Sequence, residues 1–432
     1  MARQGMRPDI HDFDDEYDRS IKRLDRPGLS PHNKELILHF RDACLLHQVC
    51  GKPRAMRIIS ALDTMGRKAS KDFDQMNRQD IESLIVQLQA RQPPYSPETL
   101  ATMKKILRRF FSWILKPQEF PNITTMPPEI AWIKGHVRAK DKNRLERKDL
   151  ITPGDVEKLL AACLSTRDKA LIALLWETGA RIGELGGLQL KNVTKVKHGY
   201  ILDLKGKTGS RSPIVISAAP YLARWLESHP FKDDPEAPLL VFTQFTQKPC
   251  LLKYKSIMDL MRRLFKRAGL QKPFHPHIFR HSRATYVLAN GLMNEQQAKA
   301  YFGWAPASDM LATYSHLIDQ DANNAILKEN NLSIAQVQKN DLKPMECRIC
   351  GELNQPKTEY CVKCGAVLDM KKAYEHQTLH NLKDELFLNL FKILVEKGLV
   401  DEAAKEIHEA GLGQKLQRLA QHLSQEKQIS EP

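Results

Sequence analysis

The sequence lacks any apolar run long enough to cross a membrane, and its first residues are too acidic for a signal peptide. No stretch of about 18 consecutive apolar residues occurs in the 432-residue chain. The opening segment MARQGMRPDIHDFDDEYDRS carries aspartates where a signal peptide needs an apolar core. We therefore expect a soluble protein of the cytoplasm.

Cysteine is sparse outside two short motifs. Four of the eight cysteines fall in two CxxC pairs, and the others are scattered at Cys44, Cys50, Cys163 and Cys250. This distribution favours a reducing compartment and one metal site over a framework of disulfide bonds.

The chain is also short of acidic residues. Its 66 Lys and Arg residues outnumber 51 Asp and Glu residues, which gives a formal net charge of +15. Such an excess favours a polyanionic partner, because cations that neutralise phosphates release condensed counterions. Charge alone does not separate a nucleic-acid-binding surface from an ordinary solvated one, so the motifs must decide.

A chain of 432 residues is long enough for more than one domain, and its pattern of apolar and charged residues changes several times. Residues 1–28 are polar and predict a mobile or weakly ordered arm. Four apolar helical patterns over 29–118 predict a small helical domain, in which Ser96 is a natural N-cap and Pro97 takes the first helical position. The Pro-rich and charged stretch 119–149 predicts a linker, either a solvated tether or a cationic segment along a phosphate backbone.

A second domain, predicted over 150–328, opens with Thr152-Pro153-Gly154-Asp155, which supplies an N-cap, a proline at the first helical position and an early acid. Two helical segments follow. The apolar runs GYILDL and SPIVIS then flank the polar turn KGKTGSR, a pattern typical of a β-hairpin. Helical patterns continue afterwards. The sequence therefore predicts a mainly α (α+β) protein whose second domain is mostly helical with a small antiparallel sheet.

Four short segments of this domain concentrate residues suited to gripping a phosphodiester. In TGARIGEL, a glycine turn precedes a helix with Arg181 in its first turn, where a guanidinium can bind two phosphate oxygens. The alternative is a surface pair between Arg181 and Glu184 at i+3. The hairpin tip KGKTGSR resembles a phosphate-contacting turn, although it lacks the spacing of a Walker loop.

The other two segments supply His, Arg, Trp and Tyr. The run HPHIFRH, residues 275–281, packs three histidines beside an arginine. Because no acidic or cysteine ligand accompanies them, hydrogen bonding to an anion is favoured over a metal site. The motif YFGW is followed by TYSHL, and a lone tyrosine is usually a core or surface packing residue.

In their order along the chain, the Arg, Lys, His-x-x-Arg, Trp and Tyr residues of these segments resemble the tyrosine recombinase family of phage integrases and Xer recombinases. TGARIGEL, HPHIFRHSRAT and YFGW with TYSHL all match the family's motifs, and the last segment is similar to archaeal members in particular. The resemblance covers roughly 30 to 325. It implies that 29–118 is a core-binding, DNA-binding domain and that 150–328 is the catalytic domain.

The resemblance implies a site-specific recombinase or integrase that acts on double-stranded DNA, as a homo-tetramer on two sites, without ATP or a catalytic metal. Arg181 and Arg280 would clamp the scissile phosphate, where charge grows in the transition state. Tyr314 would form a 3'-phosphotyrosyl bond. His277 would accept or share the tyrosine proton, and Lys207 would protonate the leaving 5'-oxygen.

Several positions depart from the common pattern or admit alternatives. Trp304 stands where many members have a second catalytic His, and its indole N–H can donate to a phosphate oxygen but cannot transfer a proton. The interval from Trp304 to Tyr314 is one residue longer than expected. Lys205 is the alternative to Lys207, because both lie at the hairpin, and His281 is expected to support the neighbouring arginine.

The two CxxC pairs lie after this domain. A glycine follows each pair and allows a tight turn around the thiolates of Cys347, Cys350, Cys361 and Cys364. Four thiolates predict a structural zinc site in a ribbon over 343–370, a module that the family generally lacks. Two C-terminal helices are predicted over 371–432, and their leucine stripe either packs within the module or binds a partner.

Three other functions compete with recombination. A catalytically inactive DNA-binding protein on the same scaffold would not need the complete set of Arg, Lys, His and Tyr. A zinc-ribbon transcription factor would explain the cysteines and the charge but not that set. A topoisomerase with similar chemistry is disfavoured by the separate helical domain.

Overall fold

The computed structural model describes residues 9–138, 145–206, 209–242, 248–305, 308 and 342–399. The chain divides into two compact units, 1–341 and 342–432. The larger unit is mostly helical with small antiparallel sheets, and the described part of the smaller unit combines one short hairpin with a long helix, which confirms the predicted fold class. Within these described ranges, every helix is too short or too polar to span a bilayer.

The first part of the larger unit is entirely helical. Its helices are α1 (Phe13–Lys22), α2 (Pro31–Leu46), α3 (Lys52–Gly66), α4 (Arg78–Gln89), α5 (Pro97–Leu115) and the short α6 (Pro128–Ala131). As predicted, Ser96 caps α5 by accepting a hydrogen bond from the Thr99 N–H at 3.2 Å. The rings of Phe40, Phe73 and Phe110 pack edge to face in the centre of this core.

The structure differs from the prediction at both borders of this helical part. Residues 9–28 include α1, and the side chains of Ile10 and Leu24 in this segment are buried. Within the predicted linker, Phe120, Ile130 and Ile133 belong to the helical core. These apolar residues are few and separated by charges or prolines, so local composition concealed their burial.

The N-terminal segment also contacts the second part of the unit. The Ile10 side chain is 1% exposed and occupies space that Gly186 leaves by having no Cβ atom. The Tyr254 N–H donates to the Ile10 carbonyl at 3.0 Å, and Lys253 pairs with Asp12. The segment therefore connects the first described residues to the second part of this unit.

The second part contains seven described helices around two small sheets. The helices are α7 (Pro153–Ala162), α8 (Thr166–Thr178), α9 (Ile182–Gly186), α10 (Ala219–Glu227), α11 (Tyr254–Arg267), α12 (Pro276–Ala289) and α13 (Glu295–Phe302). As predicted, Thr152 and Asp155 form a capping box at the start of α7. Helix α8 is buried on nearly all sides and packs against α7, α10 and α12.

The hairpin predicted from GYILDL and SPIVIS is present, with an additional strand. Strands β1 (Val193–Val196), β2 (Gly199–Leu202) and β5 (Ile214–Val215) form one antiparallel sheet in the order β1-β2-β5. Strands β3 (Leu204–Gly206) and β4 (Gly209–Arg211) form the hairpin's outer end, with Gly206 opposite Gly209. Residues 207 and 208, including Lys207, lie outside the described residues.

A buried carboxylate fixes the strand that returns from this hairpin. Glu177, near the end of α8, accepts hydrogen bonds from the backbone N–H groups of Ile216, Ser217 and Ala218 at 2.6 to 2.9 Å. These groups precede α10, whose N-terminus favours a negative charge. Glu177 therefore joins α8, β5 and α10.

The smaller unit begins with a short hairpin and continues into a long helix. Strand β6 (Met345–Glu346) pairs with β7 (Leu353–Asn354), and helix α14 runs over Met370–Glu396. The leucines of its predicted apolar stripe are half exposed or more: Leu379, Leu382, Leu386 and Leu390. The second helix predicted near residues 401–425 lies outside the described residues.

Candidate active site

Arg181 follows a turn that requires glycine. Helix α8 ends at Gly179 in the left-handed region (φ 53°), and a Cβ atom there would lie 2.5 Å from the Phe302 ring. Arg181 directly precedes α9, and its Nη1 donates to Glu184 Oε1 at 2.7 Å. The Arg181 side chain keeps 32% of its surface exposed, so the guanidinium can contact a ligand while it is held by Glu184.

Glu184 is a site residue whose importance the sequence did not reveal. Its buried carboxylate accepts hydrogen bonds from the Arg181 N–H, the Arg181 side chain and Arg211. Burial raises the pKa of Glu184, but Arg211 and Arg181 outweigh that effect and hold the pKa below its ordinary value. The carboxylate is therefore ionised, and the i+3 pair considered from sequence is part of the site.

Arg280 is held rigidly on α12. Its side chain is nearly buried, with 3% of the residue exposed. Nη1 donates to the Gly179 carbonyl at 3.0 Å, and Nη2 donates to the Phe302 carbonyl at 2.6 Å. Two carbonyls from different segments thus orient the guanidinium, which makes it a preorganised group for binding an anion.

His277 faces the same region as both arginines. It lies one helical turn before Arg280, so the two side chains share a face of α12. The His277 side chain is in contact with solvent. Its partial burial lowers its pKa, and the nearby His275, Arg280 and Arg181 lower it further. A lowered pKa leaves the ring neutral at pH 7, able to accept a proton.

Trp304 completes the group of described residues. The left-handed Gly303 (φ 60°) ends α13 and turns the chain so that Trp304 stacks on Phe302, with ring centres 5.0 Å apart. The Arg280 guanidinium carbon lies 5.7 Å from the centre of the Trp304 ring. Trp304 is therefore packed beside the Arg280 side chain.

The structure brings four of the six predicted catalytic residues into one region. Arg181, His277, Arg280 and Trp304 come from three segments separated by up to 123 positions. Lys207 and Tyr314 lie outside the described residues, and their placement stays a prediction. The alternative lysine, Lys205, is exposed on β3.

We expect His281 to make stability depend on pH. Burial lowers its pKa to about 4, with contributions from His277, His275 and Arg280, whereas an unfolded His titrates near 6.5. As pH falls from 6.5 to about 4, the unfolded state binds a proton that the folded state excludes, so stability falls. Allowing for partial solvent exposure, this residue should account for on the order of 2 kcal/mol.

Urea unfolding at neutral pH and near pH 4.5 measures this contribution. The His281→Gln variant should lose less free energy of unfolding over that interval than the wild type. The variant His198→Gln, at an exposed position, provides the control for replacing a histidine with glutamine. Equal losses in the wild type and in His281→Gln would contradict the assignment.

The helical part carries a separate cationic cavity that the sequence did not indicate. The cavity has a volume of about 770 Å³, and five cations from α3 and α5 line it: Arg54, Arg57, Lys105, Arg108 and Arg109. Arg108 Nε is buried and has no hydrogen-bond partner among the described residues. These cations are separated by about fifty positions in the chain, so no local motif could reveal the cavity.

The four cysteines of the smaller unit form one cluster. Their sulfur atoms all lie within 4.8 Å of one another, with 3.5 Å between Cys347 and Cys364 and 3.6 Å between Cys350 and Cys361. Gly351 and Gly365 both adopt φ 71°, so each forms the left-handed turn predicted after its cysteine pair. This arrangement of sulfur donors can hold a metal ion.

Comparisons with known proteins agree with this architecture. Residues 149–321 match the model of the phage integrase family. Transposase A from transposon Tn554 of Staphylococcus aureus is 26% identical over 338 residues, which cover 71% of this chain and 89% of the relative. Tyrosine recombinase XerC of Salmonella typhi is 27% identical over 231 residues, covering 52% of this chain and 70% of XerC.

Two solved structures share the fold. XerH site-specific recombinase bound to a palindromic difH substrate has a TM-score of 0.50 and 19% identity, covering 75% of this chain and all of XerH. A lambda integrase dimer bound to a COC' core site also has a TM-score of 0.50, with 16% identity, covering 66% of this chain and 76% of the integrase.

Fold and site together define an enzyme of the DNA strand transferase class. Over residues 149–321 the chain matches the phage integrase family, and its relatives support a site-specific tyrosine recombinase. The two relatives described above come from bacteria, and the likeness to archaeal members stays a prediction.

Proposed function

We propose that this protein cuts and rejoins double-stranded DNA at specific sites through a covalent bond between Tyr314 and a 3'-phosphate. The proposal depends on the placement of His277 and Arg280 one turn apart on α12, where Arg280 binds the Gly179 carbonyl two residues before Arg181. Two fixed guanidinium groups can stabilise the charge that grows on the non-bridging oxygens during attack at phosphorus. The neutral His277 can accept the proton of the attacking hydroxyl.

The charge distribution supports DNA as the partner. The net charge is +15, and the cationic cavity of the helical part presents exposed Arg54, Arg57, Lys105 and Arg109. We propose that this surface follows the phosphate backbone while the catalytic residues engage the scissile phosphate. The family resemblance supports a homo-tetramer on two DNA sites. We propose that it acts in the cytoplasm, on the nucleoid.

A substrate with sulfur in place of the leaving 5'-oxygen tests the role of the hairpin lysine. Sulfur is the better leaving group and needs no general acid. We expect Lys207→Ala to cleave ordinary DNA about 100-fold more slowly than the wild type, because general acid catalysis contributes at least that much. The sulfur substrate should restore the rate, measured as formation of the covalent protein–DNA adduct.

The neighbouring lysine is the matched control. Lys205→Ala should cleave both substrates at rates close to those of the wild type. If the sulfur substrate rescues Lys205→Ala and not Lys207→Ala, the general acid is Lys205.

We also propose that the four cysteines bind one structural zinc ion in the ribbon over 343–370. Four thiolates leave no coordination position open for a substrate, which supports a structural role. The ribbon and the helices after it would extend DNA contact or help to assemble the synapse. The exposed basic residues of the ribbon support contact with DNA: Arg348, Lys357 and Lys363.

Removal of the metal should unfold the ribbon locally. So short a segment has little core, and thiolate coordination should supply on the order of 10 kcal/mol of its folding free energy. We expect one zinc ion per intact chain by metal analysis, and rapid amide exchange over 343–370 after chelation. Absence of zinc from the purified protein would contradict the proposal.

Truncation after about residue 330 tests the role of the module. Covalent adduct formation should largely survive, while complete strand exchange or site affinity should fall. A truncated enzyme that binds and recombines like the intact chain would exclude both roles.

A further inference from the structure

Arg211 connects three segments of the candidate active site without facing a ligand. It ends β4, and its side chain is only 9% exposed. Nη2 donates to Glu184 Oε2 at 3.1 Å, while Nη1 donates to the Tyr301 carbonyl and, at 3.5 Å, to the Thr178 carbonyl. One guanidinium thus joins the β3-β4 hairpin, the turn before Arg181 and the end of α13.

The opposite strand of the hairpin meets the same carboxylate. Gly206 on β3 lies so close to Glu184 that a Cβ atom would be 2.6 Å from Oε1. Gly206 directly precedes Lys207, and Lys205 stands on its other side. Both strands therefore contact Glu184, which in turn binds Arg181.

Arg211 is paired with the buried Glu184 carboxylate, which distinguishes it from Arg280, whose Nη1 and Nη2 donate to carbonyls. The charge of Arg211 is directed at a buried carboxylate and its donors at two carbonyls, whereas Arg181 on the same carboxylate remains about a third exposed. A planar guanidinium can hold several acceptors in fixed directions, which a lysine ammonium cannot do. These contacts are typical of a side chain that holds several chain segments at fixed distances from one another.

We propose that Arg211 is a positioning residue that docks the β3-β4 hairpin onto the Glu184–Arg181 pair and thereby places the hairpin lysine at the leaving oxygen. This inference rests on the proposed function. In that reaction the Tyr314 oxygen bonds to phosphorus and its proton passes to His277. The bond from phosphorus to the 5'-oxygen breaks, and the lysine ammonium of the hairpin donates a proton to that oxygen.

Loss of docking should therefore resemble loss of the general acid. We expect full-length Arg211→Gln to cleave ordinary DNA about 100-fold more slowly than the wild type. With sulfur as the leaving atom, its rate should return to within about fivefold of the wild type, because no proton needs to be donated. DNA affinity should be unchanged, since only 9% of the side chain is exposed.

Two further variants separate docking from general stability. Gly206→Ala removes no charge but pushes the hairpin away from Glu184, so it should show the same defect and the same rescue by sulfur. Arg211→Lys keeps the cation but cannot span all three acceptors, and it should be intermediate on ordinary DNA. The exposed Arg224 is the control: Arg224→Gln should match the wild type on both substrates.

The outcomes are distinguishable. Equal slowing of Arg211→Gln on both substrates would assign its effect to the Arg181 clamp or to folding and overturn the proposal. If Arg211→Gln does not fold, Gly206→Ala decides, and a wild-type rate on ordinary DNA would overturn the proposal. If the wild type forms no covalent adduct with either substrate, the proposed function has failed instead.

Discussion

Replacing Tyr314 with Phe should reduce covalent adduct formation to background while leaving DNA affinity within about twofold of the wild type. The substitution removes only the hydroxyl oxygen that attacks phosphorus and keeps the ring. A nicked DNA duplex that traps the adduct, followed by denaturing electrophoresis, measures cleavage. Fluorescence anisotropy on the same DNA measures binding.

Another tyrosine of the same domain provides the control. Tyr286→Phe keeps the ring that packs at a tilt against Trp176, and it should form the adduct at the wild-type rate. An adduct formed by Tyr314→Phe would show that a different nucleophile acts. A wild-type protein that binds DNA but never forms an adduct would favour the catalytically inactive DNA-binding protein considered from the sequence.

Replacement of either clamp arginine should have the second largest effect. We expect Arg181→Ala and Arg280→Ala each to slow cleavage about 1,000-fold, with DNA affinity falling less than about tenfold, because their contacts strengthen in the transition state. Single-turnover rates on saturating DNA isolate the chemical step. Because Arg280 also binds the Gly179 and Phe302 carbonyls, Arg280→Lys should be measured beside Arg280→Ala. Circular dichroism should verify that both variants fold.

An arginine of the cationic cavity should show the opposite behaviour. Arg57→Ala should weaken DNA binding and reduce the slope of log affinity against log salt by about one, the effect of losing one phosphate contact. The rate of cleavage of bound DNA should be unchanged. If Arg181→Ala and Arg280→Ala behave like Arg57→Ala, they are ordinary backbone contacts. That result would remove the basis for the proposed clamp.

Local signals predicted the parts of the fold that depend on neighbouring residues. The caps at Ser96 and Thr152 are present, because each needs only the backbone groups of the following turn. The hairpin is also present, because its apolar runs and polar turn are contiguous. In contrast, the burial of Ile10 and Phe120 depends on residues distant in the chain, which no local pattern encodes.

The same distinction applies to the active site. Arg181, His277, Arg280 and Trp304 were recognisable because each stands in a motif of several residues. Arg211 was not, because an isolated arginine on a strand looks like any surface cation until its contacts are known. Its partner Glu184 lies 27 positions away, and its acceptor at Tyr301 lies 90 positions away.

The contact made by Ile10 has a consequence for how the protein is made. The Ile10 side chain packs against Gly186, and its carbonyl accepts a hydrogen bond from Tyr254. The contact with Tyr254 can form only after 244 more residues have been synthesised. At a synthesis rate of about 5 to 20 residues per second, Tyr254 is added roughly 12 to 50 seconds after Ile10. Closure of this long loop is therefore a late event in biosynthesis, completed after the helical part has left the ribosome.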